Sequence, residues 1–227
     1  MVALQVSAAR DWIVEKAVVS IVAGIAAATV LTPAAQAGDS PWDGLYAGIH
    51  GEYLWGDPTI SGTIAPFIVS RDFDGFAGGV TGGYNHVIDQ FLVGVEADIA
   101  LSDADGTIEN IASIEGLAVD LDWLATVRAR AGLVHEDFLF FVTGGLAVGG
   151  LEASYFGFGP FGSALDETAM GYTLGAGAEW AVTDRVTVKA EYLYVDLANE
   201  ELDVQISGYR SLGLETNMVR FGVNWQF

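Results

Sequence analysis

From Asn217 to the end of the chain, every second residue is apolar. Val219, Phe221, Val223, Trp225 and Phe227 alternate with Met218, Arg220, Gly222, Asn224 and Gln226. Period two is the signature of a strand with one oily face and one mostly polar face. Such a strand is half buried in a soluble sheet, or it turns its oily face to lipid and its polar face to the small interior of a barrel. Composition narrows that choice. Hydrophobic residues make up 52% of the 227, yet beyond residue 40 no apolar run approaches the ~20 residues of a spanning helix. Hydrophobicity that high without a long run has to be carried by alternation.

The spacing predicts eight alternating strands, at residues 45–55, 75–86, 91–102, 121–134, 138–151, 170–182, 186–197 and 217–227. Tight turns at 87–90, 135–137 and 183–184 alternate with long loops at 56–74, 103–120, 152–168 and 198–216. Even strand number and alternating connection length describe an all-β fold. It is an eight-stranded antiparallel up-and-down transmembrane β-barrel with its turns in the periplasm. The start of the fifth strand, Phe138-Leu-Phe-Phe-Val142, is apolar on both faces, so its register stays open. Aromatics form two girdles, as a barrel in a bilayer requires. Tyr84, Phe91, Phe138, Phe140, Trp180, Trp225 and Phe227 fall at the turn ends, and Tyr53, Trp55, Phe76, Trp123, Tyr172 and Tyr194 at the loop ends.

Strand parity assigns an interior charge network. Glu52, Glu96, Asp98, Glu179 and Glu191 face inward with Arg128, Arg130, Lys189 and Arg220, while Asp122 sits nearer the outer rim. A turn centred on Asp184 places Glu179 across from Lys189, which predicts an ion pair. Eight strands leave a space just wide enough for side chains, so these charges are expected to form a polar plug. The alternative is a charged selectivity lining. His50 has the same parity as Glu52 and is expected to be a hydrogen-bonded interior histidine. His86 and His135 fall at the turns.

Ahead of the barrel, Arg10 and Lys16 precede an apolar stretch at 17–31, then Pro33 and Ala35-Gln-Ala37. That pattern reads as a signal peptide over residues 1–37, cut after Ala37, leaving a barrel domain at 38–227. The chain lacks cysteine, and its net charge is −21. A phosphate backbone needs a basic surface, so nucleic acid is excluded as a partner. The four long loops hold fifteen acids and two bases. They are expected to be solvated, or to hold divalent cations that bridge to lipopolysaccharide phosphates. Asp103-Ala-Asp-Gly106 with Glu109 departs from calcium-loop spacing. Gly157-Phe-Gly-Pro-Phe-Gly162 neither follows a strand nor opens a helix, as a dinucleotide fingerprint must. Neither a nucleophile elbow nor a zinc-protease motif occurs. No cofactor, metal or catalytic residue is expected.

Several blocks carry a family resemblance. They are Trp42-Asp-Gly-Leu-Tyr-Ala-Gly48, Gly82-Gly-Tyr-Asn85, Gly94-Val-Glu-Ala-Asp98, Trp123-Leu-Ala-Thr-Val-Arg-Ala-Arg-Ala-Gly132 and Thr143-Gly-Gly-Leu-Ala147. Gly175-Ala-Gly-Ala-Glu179, Lys189-Ala-Glu-Tyr-Leu-Tyr-Val-Asp196 and Arg220-Phe-Gly-Val-Asn-Trp-Gln-Phe227 complete them. In that order and spacing the chain resembles the small outer-membrane immunogenic proteins, a porin-like family of OmpA-type eight-stranded barrels from Gram-negative bacteria. The resemblance covers almost all of 38–227 except the loops. It implies an integral outer-membrane protein with surface loops, embedded among outer-membrane lipid and lipopolysaccharide. The row Phe221, Val223, Trp225 and Phe227 resembles the signal read by the outer-membrane insertion machinery. A structural or surface-interaction role in the cell envelope is the preferred expectation. A narrow channel for small solutes and a lipid-modifying enzyme are the alternatives.

Overall fold

The computed structural model describes residues 40–62, 68–70, 73–110, 115–156, 164–201 and 209–227. The signal-peptide reading, with Ala35 and Ala37, and the Gly157–Gly162 segment lie outside them. Nine strands follow in order: β1 (Gly44–Gly62), β2 (Ile68–Ser70), β3 (Phe73–Ile88), β4 (Phe91–Asn110) and β5 (Glu115–His135), then β6 (Phe138–Phe156), β7 (Ala164–Ala181), β8 (Val186–Glu201) and β9 (Tyr209–Gln226). Eight of them pair antiparallel in a ring, β1-β3-β4-β5-β6-β7-β8-β9, and β9 closes on β1. The short β2 adds to the outer end of β4. This is the closed eight-stranded antiparallel barrel that the alternation predicts. Closure leaves no open edge at bilayer depth, where each unpaired backbone group would cost several kcal/mol.

Tight turns join β3 to β4, β5 to β6 and β7 to β8. Asp89 and Glu136 take φ of 56° and 54° there, a left-handed conformation that the short side chain of Asp89 tolerates better than that of Glu136. Ile49, Val80, Val95, Leu146, Leu174 and Phe221 stand outward and exposed across the middle of the wall. Aromatics ring that apolar belt at both ends. Phe138 stacks on Trp180 at the turn end, and Tyr53 stacks on Trp55 at the loop end, with centroids 6.4 and 5.9 Å apart. Such an outward belt matches a bilayer rather than water.

The strands run well beyond their expected ends. Much of what alternation marks as long loop is paired strand, with β4 and β5 joined as far as Asn110 and Glu115. On β4, β5 and β8 bulges explain why alternation stops early. The register shifts between Leu101 and Ala104, between Leu121 and Trp123, and between Leu197 and Glu200. A bulge adds one residue and reverses which parity faces in. Leu121 therefore points inward and Asp122 outward, the reverse of their expected parity. Asp103-Ala-Asp-Gly106 accordingly lies in strand β4 and not in a loop. The open register of β6 is settled by the pairing of Arg130 with Thr143. Leu139, Phe141 and Thr143 face the lumen, and Phe138, Phe140 and Val142 face out.

Candidate functional site

The lumen is stacked in three layers. At its outer end lies an apolar core that includes Leu54, Phe73, Leu124, Leu151, Leu197 and Met218. Sequence parity misses this layer because its strands are apolar on both faces there: Leu193 and Val195 point in while Tyr192 points out. The buried charges are thus confined to the middle of the lumen. At the periplasmic mouth a second apolar cluster forms from Trp42, Leu92, Leu139 and Phe141. Trp42 precedes β1 and turns its indole into the barrel, where it is 1% exposed. Its neighbour Asp43 ties the segment down, accepting from the Val87 N–H at 3.1 Å and lying 3.3 Å from His86 Nδ1.

Between these layers all nine charged residues assigned by parity come together. Arg128 is the hub. Its guanidinium donates to Glu96, to Asp98 at 2.9 Å and to Glu191 at 2.7 Å. Lys189 donates to both oxygens of Glu96, at 2.9 and 2.8 Å. Arg220 donates to Glu52 at 2.6 Å and to Asp98 at 3.0 Å. Arg130 pairs with Glu179 and lies over the Phe141 ring, 4.0 Å from its centroid. That contact joins the charged layer to the periplasmic cap. The side chains in these ion pairs are at most 1% exposed.

The predicted Glu179–Lys189 pair is corrected. The two residues do lie directly across from each other, but each reaches over the lumen instead. Glu179 takes Arg130, the Thr187 hydroxyl and the Asn224 amide at 2.7 Å, and Lys189 takes Glu96. In a lumen this narrow a long side chain reaches the far wall as easily as the next strand. His50 is buried, but neither ring nitrogen has a hydrogen-bond partner among the described residues, contrary to the expected bonded histidine.

Uncharged partners complete the network. The Tyr46 hydroxyl donates to Glu96 at 2.6 Å, and the Thr126 hydroxyl donates to Asp98 at 2.6 Å. Tyr46 shares the parity of His50 and Glu52, which places its side chain inside but does not name its partner. Its ring fits because Gly83 stands opposite: a methyl group there would approach the Tyr46 hydroxyl to 2.5 Å. Gly177 makes the same room for Phe141, whose ring edge would meet such a methyl at 2.6 Å.

The outer wall carries a second charged feature. Asp74, Asp105, Asp120 and Glu152 stand directly across from one another on β3, β4, β5 and β6. Burial, and then the nearby Asp105 and Asp122, raises the Asp120 carboxyl above the usual range. Like charges on neighbouring strands are unfavourable unless cations screen them.

The profile of the outer membrane protein beta-barrel domain family matches residues 23–227. The chain is 36% identical over 207 residues to the 31 kDa outer-membrane immunogenic protein of Brucella melitensis, covering 82% of this chain and 84% of that one. It is 34% identical to the 22 kDa outer membrane protein of Rhizobium leguminosarum bv. viciae, covering 82% and 78%. Among solved structures, Neisserial surface protein A overlays with a TM-score of 0.46 at 15% identity, covering 82% of this chain and 98% of that one. A membrane-matched barrel, a family profile spanning nearly all of it and relatives of similar length agree, and the chain belongs to the outer-membrane β-barrel domain family.

Proposed function

We propose that this outer-membrane barrel has a structural and surface-interaction role, with a lumen that is a filled strut and not a conduit. The observation that carries the reading is the layered lumen. A buried ion network, with side chains at most 1% exposed, lies between two apolar plugs. Charges in so narrow a space are tolerated only when paired, and each of these has an ion-pair partner. Function then falls to the walls and loops outside the membrane. Catalysis is not part of the reading. His50 lies in mid-lumen, and His86 and His135 lie at the periplasmic end, away from the outer surface where a lipid-modifying site would sit. Divalent cations shared with lipopolysaccharide phosphates screen the acidic outer wall diffusely, as no group of three or more such side chains among the described residues is placed to ligate one. Residues 1–37 act as the export signal, removed after Ala37. The outward row Phe221, Val223, Trp225 and Phe227 is what the insertion machinery recognises.

One observation favours the narrow-channel alternative. Among the described residues, both ring nitrogens of His50, Glu52 Oε1 and Arg220 Nη1 have no hydrogen-bond partner, and Glu52 faces Arg220 across β1 and β9. They would line any path a small solute took. Purified barrel in planar lipid bilayers separates the two readings. No stepwise conductance is expected. Steady single-channel steps, abolished when Arg220 or Glu52 is changed, would replace the strut with a channel.

A further inference from the structure

On the outer face of β7, β8 and β9, at the level of the outer girdle, a small group of side chains combines aromatic rings with charge. Tyr172 stands directly across from Asp196, and Asp196 directly across from Glu215. All three leave the outside of the wall, since their chain neighbours Thr173, Val195, Leu197, Leu214 and Thr216 are buried in the lumen. Tyr194 lies one step nearer the membrane on the same face, its ring 6.2 Å from that of Tyr172 and tilted by 51°. Hydrogen bonds fix the pair. The Tyr194 hydroxyl donates to Tyr172, and the Tyr172 hydroxyl donates to Asp196. Two residues below Glu215 on β9, Asn217 also faces outward, between Tyr194 and Trp55. Its side-chain oxygen accepts from the Tyr192 hydroxyl at 2.5 Å, and its amide N–H groups are the donors it turns to other partners.

Two carboxylates directly opposite each other are unfavourable unless a cation lies between them. Carboxylates alone would accept any cation, but the rings narrow the choice. The face of an aromatic ring attracts organic ammonium groups, quaternary ones above all, whereas calcium and magnesium seek cages of oxygen. Height then identifies what carries the ammonium. Tyr172 and Tyr194 belong to the outer girdle, and girdle aromatics sit at the level of lipid headgroups. Glu215 lies about 7 Å along the strand beyond Asn217. Moving outward, the wall therefore presents an apolar belt, an amide donor and a carboxylate pair. A lipid whose headgroup links an ammonium to a phosphate presents acyl chain, phosphate and ammonium in that same order.

We propose that the outer face of β7, β8 and β9 is a binding site for a lipid headgroup with a phosphate-linked ammonium. The ammonium lies against Tyr172, Tyr194, Asp196 and Glu215, and the phosphate accepts from the Asn217 amide. The group is carried by a phospholipid or by a substituted lipopolysaccharide phosphate. This rests on the reading that the barrel works through its walls, and it fails separately from that reading, since conductance and lipid retention are independent measurements.

Native mass spectrometry tests it on the purified full barrel, released from detergent micelles that hold equal amounts of phosphatidylcholine and phosphatidylglycerol. One phosphatidylcholine is expected to stay on each barrel, at about tenfold the level of phosphatidylglycerol. The double variant Asp196→Asn with Glu215→Gln should lose that preference. So should Tyr172→Leu with Tyr194→Leu, and both should keep the heat-modifiable gel mobility of a folded barrel. Asn217→Asp hardly changes shape but sets a negative charge against the phosphate, so it should lower phosphatidylcholine retention by itself. Lipid A with and without an ethanolamine-phosphate substituent, measured the same way, separates the two sources. Retention of the substituted form above phosphatidylcholine makes lipopolysaccharide the source, and the reverse makes it a phospholipid. Equal retention of the two phospholipids, with no selectivity for the substituted lipid A, overturns the proposal. A preference that survives the loss of the carboxylates overturns it too. So does one that survives the loss of the rings, because bulk attraction to an acidic surface needs none.

Discussion

At the scale of single residues, the lumen is a set of choices between partners that strand pairing alone does not decide. Glu179 shows this best. It faces Lys189 across β7 and β8 yet bonds Arg130, Thr187 and Asn224. Replacing Glu179 with Gln takes away the close counter-ion of the buried Arg130 guanidinium and leaves it only Glu96, at 3.9 Å, and the expected loss of stability is roughly 3–5 kcal/mol. Removing that buried charge in the double variant Glu179→Gln with Arg130→Met should recover part of it. Adding Lys189→Met to Glu179→Gln should instead deepen the loss, because Lys189 serves Glu96. Urea unfolding of the refolded barrel in detergent micelles measures all three. Rescue by Lys189→Met and not by Arg130→Met would show that the cross-lumen partners are misassigned. Parity placed the nine charges in one interior because period two fixes which wall a side chain leaves. It could not name their partners, since those are set by side-chain reach over a space whose shape depends on all eight strands. Tyr46 and Asn224 were on the polar face too, but uncharged groups give no sign of being buried partners until the lumen around them is known.

At the scale of elements, alternation located the membrane-spanning part of each strand and then stopped at the bulges. The segment from Phe91 to Leu101 on β4 reads cleanly, and the shift before Ala104 hides the rest of the strand. Acid rows were hidden for the same reason, because they depend on which neighbours stay paired beyond the bulges. The last strand is the opposite case, legible to its final residue. The Phe227 N–H donates to the Leu45 carbonyl at 3.0 Å, and the Gln226 N–H donates to the Arg185 carbonyl at 2.8 Å. The chain end thus touches both β1 and the turn before β8. The Phe227 ring faces outward and is half exposed, so little lumen packing depends on it. Deleting Phe227 should therefore reduce the amount of barrel assembled in cells much more than it lowers the stability of protein refolded in vitro. Surface labelling of cells and urea unfolding of the purified variant give the two numbers. Equal losses in both would mean that the residue acts through stability and not as an assembly signal.

At the scale of the whole molecule, two apolar layers enclose a charged one, and the enclosing wall is oily outside and mixed inside. Fold class, strand number and the position of the girdles were legible because each follows from a repeated local pattern. The apolar cap at the periplasmic mouth was not, since Trp42 lies ahead of the first strand, where no period exists to say which way it turns. Its placement has an optical consequence. Trp55, Trp180 and Trp225 stand outward and exposed, whereas Trp42 is enclosed by the barrel. Quenchers carried on lipid chains act at short range, so they should silence the outward indoles and leave Trp42 emitting. In bilayers of brominated phospholipid, the folded barrel should keep a residual emission at the blue end of the tryptophan range, which the Trp42→Phe variant loses. A residual that survives this substitution would place the enclosed indole elsewhere. During refolding into such bilayers, that unquenched emission should appear last, which makes one side chain at the mouth a clock for the moment the cylinder shuts.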